Sequence, residues 1–407
     1  MNGKQIKDKL ISGIKLAIRT GLIALNDGFI CMPVKKHEIM FESFNGKDIN
    51  DNPAAIYFEW IKQHPEYAKH AYFGVKAANY KELHKQYPNV QILRRFFPRW
   101  VWHVARADFW VFNSRFPKWW KKNKRTTYIQ TWHGTPLKKL GVDIKHVSIP
   151  GISTQQYHDD FKKAASRWKY LIMPNQYSED IFDRAFDFKN VPLRIGYPRN
   201  DVLYQQNNAK TISELKKRIV GNPKQKVILY APTWRDDDYQ KKGSYNFELP
   251  FSLKSFFDHV GDNTKLIIRP HYLIKDRIDI AGYEDRVQIE ADCDISELYL
   301  ISDLLITDYS SVMFDYANLK RPMLFYAYDL KHYQNELRGF YFDFKKDVPG
   351  PIVEDQNSFY NELSHFNEDG KFIGYDQKIE DFYNKFCSWE HGDASARVVK
   401  VMEDKNE

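Results

Sequence analysis

Four short apolar runs along this chain each stop abruptly at polar residues. Tyr128-Ile129-Gln130-Thr131 ends in Trp132-His133-Gly134, and Lys226-Val227-Ile228-Leu229-Tyr230 ends in Ala231-Pro232-Thr233-Trp234-Arg235. Lys265-Leu266-Ile267-Ile268 ends in Arg269-Pro270-His271, and Asp303-Leu304-Leu305-Ile306-Thr307 ends in Asp308-Tyr309-Ser310-Ser311. Such runs predict short buried strands, and Phe109-Trp110-Val111-Phe112 reads the same way. Thr135 is placed to cap a helix beginning at Pro136, and Val312 to Ala317 reads as helical. Strand and helix patterns alternate from residue 226 to about 370, and residues 377–404 read as terminal helices. The fold class is therefore α/β. The polar stretch between Val191 and Ser213 predicts a linker, which divides the chain into residues 1–200, 201–376 and 377–407.

In α/β proteins, anionic ligands and reactive groups gather at the carboxyl ends of strands. His133, Arg235, Arg269, His271, Asp308, Ser310 and Ser311 all fall at such ends. Together they describe a site for a phosphate-rich ligand with a base nearby. Ser310 and Ser311 open a helix and supply hydroxyl and N–H donors, with a ligand-free helix cap as the alternative. Asp315, one turn further, reads either as a ribose-binding carboxylate or as a surface aspartate.

Composition narrows the choice of ligand. The 407 residues are 43% apolar and 16% aromatic, and the net charge is +8. A basic protein favours polyanions, and with no nucleic-acid module in view, membrane and phosphate are the better partners. The three cysteines are far apart and form no CxxC pair. A disulfide framework and a zinc site are both disfavoured, and a reducing cytoplasm is expected. No apolar run reaches the roughly 18 to 20 residues of a membrane span, and Arg19 interrupts the only stretch resembling a signal peptide.

Two N-terminal stretches suit a membrane surface. Residues 4–25 place Ile6, Leu10, Ile14, Ala17 and Leu22 near one helical face, with Lys4, Lys7, Lys9, Lys15 and Arg19 elsewhere. That pattern fits an interfacial helix or a terminal helix docked on its own domain. Residues 94–125 hold five of the ten tryptophans, ten Lys or Arg and a single acid, Asp108. Phe109 to Phe112 is taken as a core strand. Trp100, Trp102, Trp119 and Trp120, with Lys121 and Lys122, are read as a surface for membrane or a lipid-linked acceptor.

YIQTWHGTPLKKLG, RPH and LLITDYSSVMFDYANLKRPMLFY, with APTWR, YLIMPNQYSEDIF and IGYPRND, carry a family resemblance. From about residue 108 to the C-terminus the chain resembles the CDP-glycerol glycerophosphotransferases of Gram-positive wall teichoic acid synthesis. The resemblance implies a GT-B fold of two Rossmann-like domains facing a cleft, with a basic, aromatic, membrane-associating N-terminal region. Residues 1–200 would bind acceptor, residues 201–376 would bind the CDP-polyol, and the last helices would cross back to the first domain. The implied reaction is attack of an acceptor hydroxyl on the β-phosphorus of CDP-glycerol, releasing CMP. His133 matches the family's catalytic histidine and is the expected general base, with Gly134 and Thr135 as its supporting loop. His271 is the expected donor-side partner. Arg235, Arg269, Asp308, Ser310, Ser311 and Asp315 would hold donor phosphates and nucleotide.

No metal site is implied and no cofactor is required, with Mg²⁺ on the diphosphate left open. The implied partners are CDP-glycerol, an undecaprenyl-diphosphate-linked disaccharide or primed acceptor, and an anionic membrane at its cytoplasmic face. CDP-ribitol is the alternative donor. A UDP-sugar transferase and a non-catalytic polymer-binding protein are further readings. The chain's modest size favours addition of one or a few units over long polymerisation.

Overall fold

The computed structural model describes residues 3–147, 151–233, 239–241, 244–245, 248–270, 278–330 and 339–405. In the first half, strands rich in Ile, Phe, Trp and Val pair into a parallel sheet. They are β1 (Lys35–Glu42), β2 (Ala71–Val75), β3 (Gln91–Arg94), β4 (Ala107–Phe112), β5 (Thr127–Gln130), β6 (Tyr170–Met173) and β7 (Val191–Arg194), in the order β3-β2-β1-β4-β5-β6-β7. The second half has its own parallel sheet, begun by β8 (Lys226–Ala231). A short antiparallel pair, β9 (Tyr239–Lys241) and β10 (Ser244–Tyr245), lies apart from it. Next come β11 (Thr264–Ile268), β12 (Val287–Ile289), β13 (Leu304–Thr307), β14 (Met323–Tyr326) and β15 (Ile352–Val353), and the sheet order is β12-β11-β8-β13-β14-β15.

Both orders are doubly wound. The chain starts near the middle, winds to one edge, returns and winds to the other. The direction reverses between β1 and β4 in the first sheet and between β8 and β13 in the second. At such a reversal the connections leave in opposite directions and a crevice opens at the strands' carboxyl ends.

Six helices matter to the site and its support: α1 (Gly3–Phe29), α2 (Asp51–Gln63), α3 (Pro98–Arg106), α4 (Thr154–Ala165), α5 (Val312–Tyr316) and α6 (Ala394–Asp404). One face of the first sheet packs Trp100, Trp110, Tyr128 and Trp168. On the other, α2 contributes Ile56, Tyr57 and Trp60, and α6 returns from the far end of the chain with Val398, Val399 and Met402. The Asp201 carboxylate receives the N–H groups of Ala394 and Ser395 at 2.9 and 2.8 Å, so the start of α6 is capped from the first half.

The helix expected at Pro136 does not form. The segment after it runs extended and pairs with the second half. Lys138 bridges Phe340, the Lys139 N–H donates to the Gly339 carbonyl, and the Tyr341 N–H donates to the Leu137 carbonyl at 3.0 Å. Leu137 is buried in the core of the second half. Strand-like bonds to another part of the chain and a buried leucine outweigh the local helix signal.

The tryptophans of the aromatic, basic stretch are buried or half-buried, while Lys118, Lys121, Lys124 and Arg125 are exposed. Trp100 and Trp120 are buried, their rings 5.1 Å apart, and the Trp100 indole donates to Glu42 Oε1 at 3.0 Å. Trp102 lies between Phe29 and the Arg106 guanidinium, and Trp119 stacks on Phe96 beneath Arg19. Lys121 pairs with Asp27 at 2.8 Å. Lys122 donates to the carbonyls of Asn123 and Thr126, and burial pulls its pKa down to about 8. The tryptophan surface expected from composition is therefore the seat of α1. Cation–π pairs and buried indoles use the same residue types as a headgroup layer.

Only the later part of α1 occupies that seat. Leu22, Leu25 and Phe29 pack on the first core. Leu10, Ile14 and Ile18, one turn apart, are 65%, 52% and 59% exposed.

Met402 of α6 packs on the first half with no exposed surface, as do Val398 and Val399. Met402→Ala should cost about 2–5 kcal/mol, read as a lower urea midpoint. An unchanged midpoint would mean that α6 adds nothing to the stability of this half.

Candidate active site

Gln130 closes β5, and its side-chain oxygen takes the Trp132 N–H at 3.0 Å. Trp132 then adopts a left-handed backbone, φ 53°, a conformation that costs a residue with a Cβ about 1–3 kcal/mol. The surroundings hold it there. Asn52 in the first turn of α2 donates to the Trp132 carbonyl at 3.2 Å, and the indole packs on Phe186 at 4.6 Å. This reversal turns His133 out of the sheet and into the crevice beside β4.

The His133 Nδ1 lies 2.8 Å from the backbone carbonyl of Asn113, just past β4. A carbonyl only accepts, so Nδ1 carries the hydrogen and the neutral ring keeps its lone pair on Nε2. The residue is exposed, yet it lies in a hollow where surrounding protein displaces bulk water. Desolvation pulls its pKa below the ordinary 6.5, against the Asn113 bond and Asp51, which favour the charged ring; Arg199 also disfavours it. The ring is held neutral near pH 7, as a base requires.

The second half meets this loop directly. A Cβ placed on Gly134 would lie 3.7 Å from Ser311 Oγ, so Ser311 faces the residue next to His133 across the interface. Ser311 is exposed at the start of α5, and Ser310 is half-buried beside it. Thr135 is buried and accepts from Asn175 Nδ2 at 3.5 Å.

The strongest link between the halves is Arg199, in the Tyr197-Pro198-Arg199-Asn200 turn. Its Nη1 lies 2.8 Å from Asp51 and 2.9 Å from the His133 carbonyl, and its Nη2 lies 2.9 Å from Asp315. Asn200 adds a bond to Asp315 at 3.3 Å. Burial pushes the Asp315 pKa up, with Arg199 opposing it, while the two carboxylates lift Arg199 well above the ordinary arginine value.

Several expected site residues take other positions. Asp315, expected at a ribose, has both carboxylate oxygens on Arg199. Asp308 is buried and accepts the Thr233 N–H at 2.9 Å, which fixes the turn after β8. Arg269 donates to the carbonyls of Glu290 and Cys293 and braces the loop after β12. His271 and Arg235 lie outside the described residues. Trp100, Trp102, Trp119, Trp120, Lys121 and Lys122 serve the α1 seat described above. Sequence reading missed Asp51, Asn52, Asn113 and the role of Arg199. Only Arg199 had a visible signal, inside the IGYPRND motif, and nothing local told which carboxylates it would meet.

With this geometry in view, residues 25–404 match the model of the CDP-glycerol:poly(glycerophosphate) glycerophosphotransferase family. The chain belongs to that family. This glycerophosphotransferase is 46% identical to the teichoic acid glycerol-phosphate transferase of Staphylococcus aureus over 370 residues, covering 90% of this chain and 93% of the relative. It is 44% identical to the teichoic acid poly(glycerol phosphate) polymerase of Bacillus spizizenii, covering 91% and 93%. It matches the Bacillus subtilis polymerase at 44%, covering 91% of this chain but 49% of that relative, so it spans about half of that longer protein. The solved structure of the wall teichoic acid polymerase TagF superposes with a TM-score of 0.87 at 38% identity, covering 100% of this chain and 98% of that one. This chain is thus a transferase of teichoic acid biosynthesis. The match covers 93% of the Bacillus spizizenii polymerase, so chain size does not separate addition of a few units from polymerisation.

Arg199→Met would leave Asp51 and Asp315 facing each other without their cation. A loss of about 3–5 kcal/mol is expected at pH 7. Burial already pushes the Asp315 pKa up, and without its cation the deficit should shrink as pH falls and that carboxylate protonates. Urea unfolding at pH 7 and pH 5 would show it; an equal deficit at both would place the stability elsewhere.

Proposed function

We propose that this glycerophosphotransferase moves glycerol phosphate from CDP-glycerol to a hydroxyl of a lipid-linked acceptor at the cytoplasmic face of the membrane, with His133 as general base. The observation that carries the reading is the Nδ1–H bond from His133 to the Asn113 carbonyl at 2.8 Å, which leaves Nε2 free toward the cleft.

The chemistry follows from that tautomer. Nε2 takes the acceptor's proton while the hydroxyl oxygen forms its bond to the β-phosphorus. The bond from that phosphorus to the oxygen of CMP breaks, and CMP leaves with the electron pair. The donor's phosphates lie on the second half, reached by Ser310 and Ser311, and the family resemblance adds Arg235 and His271 as further donors. Preset donors there stabilise the charge gathering on CMP. The two doubly wound halves then act as a GT-B pair, donor on one side and acceptor on the other. Asp315, held by Arg199, would couple donor binding to the approach of the halves, and it retains lone pairs for a ribose hydroxyl.

Membrane contact falls to α1. The apolar face that docks at Leu22, Leu25 and Phe29 continues uncovered through Ile18, Ile14 and Leu10. An amphipathic helix with one end anchored and the other bare suits insertion at a headgroup layer. Among the described residues, no helix is long and apolar enough to cross a membrane.

His133→Ala should lower kcat by about 10²- to 10⁴-fold while CDP-glycerol affinity, measured by calorimetry, stays near that of the unsubstituted enzyme. In that enzyme, kcat/KM should hold level above neutrality. It should fall as pH drops through a midpoint below the ordinary 6.5, because only the neutral ring accepts a proton. Near-normal CMP release by His133→Ala would remove the histidine from the base role.

Replacing Leu10, Ile14 and Ile18 together by serine should reduce sedimentation with anionic vesicles and slow transfer to a lipid-linked acceptor more than to a soluble one. Unchanged vesicle binding would place membrane contact elsewhere.

A further inference from the structure

Beside His133, on the side of the first half, lies a cavity of about 500 Å³. It opens at the carboxyl end of β4, next to β1, where the first sheet reverses direction. Among the described residues, those that line it all belong to the first half.

Arg115 lines its wall, and the mechanism gives it no role. It follows β4 by three residues and is half-buried. Its guanidinium lies 3.9 Å from the ring centre of Phe161 and 5.5 Å from that of Tyr157, both on α4. Stacking fixes the plane of the group and leaves its edge, with the N–H fork, for a ligand. Burial lowers its pKa, and Asp160 opposes that without bonding to it. The Asp160 carboxylate is committed to Lys118 at 2.9 Å and Gln156 at 2.9 Å. A half-buried guanidinium stacked on two rings and offered to a cavity suits a phosphate or carboxylate oxygen pair.

Position selects the ligand. Asn113, whose carbonyl orients His133, is two residues before Arg115, a backbone separation of at most about 7 Å. His133 and Arg115 also line the same cavity, so a hydroxyl at Nε2 and an anion at Arg115 can belong to one molecule. The chemistry is a polyol phosphate: a terminal hydroxyl to react and a phosphate one unit behind it. We infer that Arg115 recognises the terminal polyol phosphate of an already primed acceptor, and so selects such acceptors over uncharged sugar ends. This rests on the reading of His133 as the base, because that reading places the reacting hydroxyl.

The test uses a soluble disaccharide capped with one glycerol phosphate and the same disaccharide uncapped. Calorimetry should show the unsubstituted enzyme binding the capped probe more tightly. In Arg115→Ala, both Kd and KM for the capped probe should rise at least tenfold, erasing that preference, while CDP-glycerol affinity is kept and reports correct folding. Arg115→Lys, which keeps the charge but not the fork, should fall between the two. The inference is overturned if the unsubstituted enzyme shows no preference, if either variant keeps the full preference, or if Arg115→Ala weakens both probes equally. An enzyme that binds the capped probe through Arg115 yet releases no CMP from CDP-glycerol would sink the proposed function and leave the subsite standing.

Discussion

One guanidinium ties the loop carrying His133 to both halves of the molecule. Arg199 reaches Asp51 at the start of α2, the backbone carbonyl of His133, and Asp315 of the second half. Two carboxylates and a carbonyl surround it with little water, so the three elements keep their spacing or leave charge unpaired. The same α2 turn supplies Asn52, which holds the Trp132 carbonyl and receives the Arg199 N–H at 3.1 Å. The strained reversal that turns out His133 and the ion pair that joins the halves are thus one network.

Around it, the division of labour follows from two sheets of the same winding. Each opens a crevice at its own reversal, and the crevices carry different groups. On the second half are hydroxyls at the start of α5 and the turns after β8 and β11. On the first are a neutral histidine and a stacked arginine. Asp308 and Arg269 looked like ligand groups by type and place. In the structure each satisfies backbone groups, Asp308 a Thr233 N–H and Arg269 the carbonyls of Glu290 and Cys293. Strand-end loops contain many backbone groups without ladder partners, and nearby charged side chains satisfy them.

The aromatic, basic stretch shows how composition alone can mislead. Trp with Arg and Lys marks a membrane surface, but it also builds a dry seat for a helix through cation–π contacts and buried indoles. Here the seat is filled by the last turns of α1. Apolar surface is left where the helix extends past that support, at Leu10, Ile14 and Ile18.

The sequence by itself determined the α/β class, the buried strands at β4, β5, β8, β11 and β13, the position of His133 at a strand end, and the family. Those are local matters: short apolar runs stopped by polar residues, and motifs contiguous in the chain. Tertiary structure decided the rest. Pro136 begins no helix because Leu137 and its neighbours bond to Gly339, Phe340 and Tyr341, about two hundred residues away. Arg199 gains its meaning from Asp51 and Asp315, and His133 its tautomer from the Asn113 carbonyl. Trp100 and Trp120 are buried because they pack on each other and on Phe96 and Phe116 within the first core. A charge or a ring in a sequence states what it is able to bind; only the folded chain states which partner arrives first, because desolvation and geometry are set by residues far away along it.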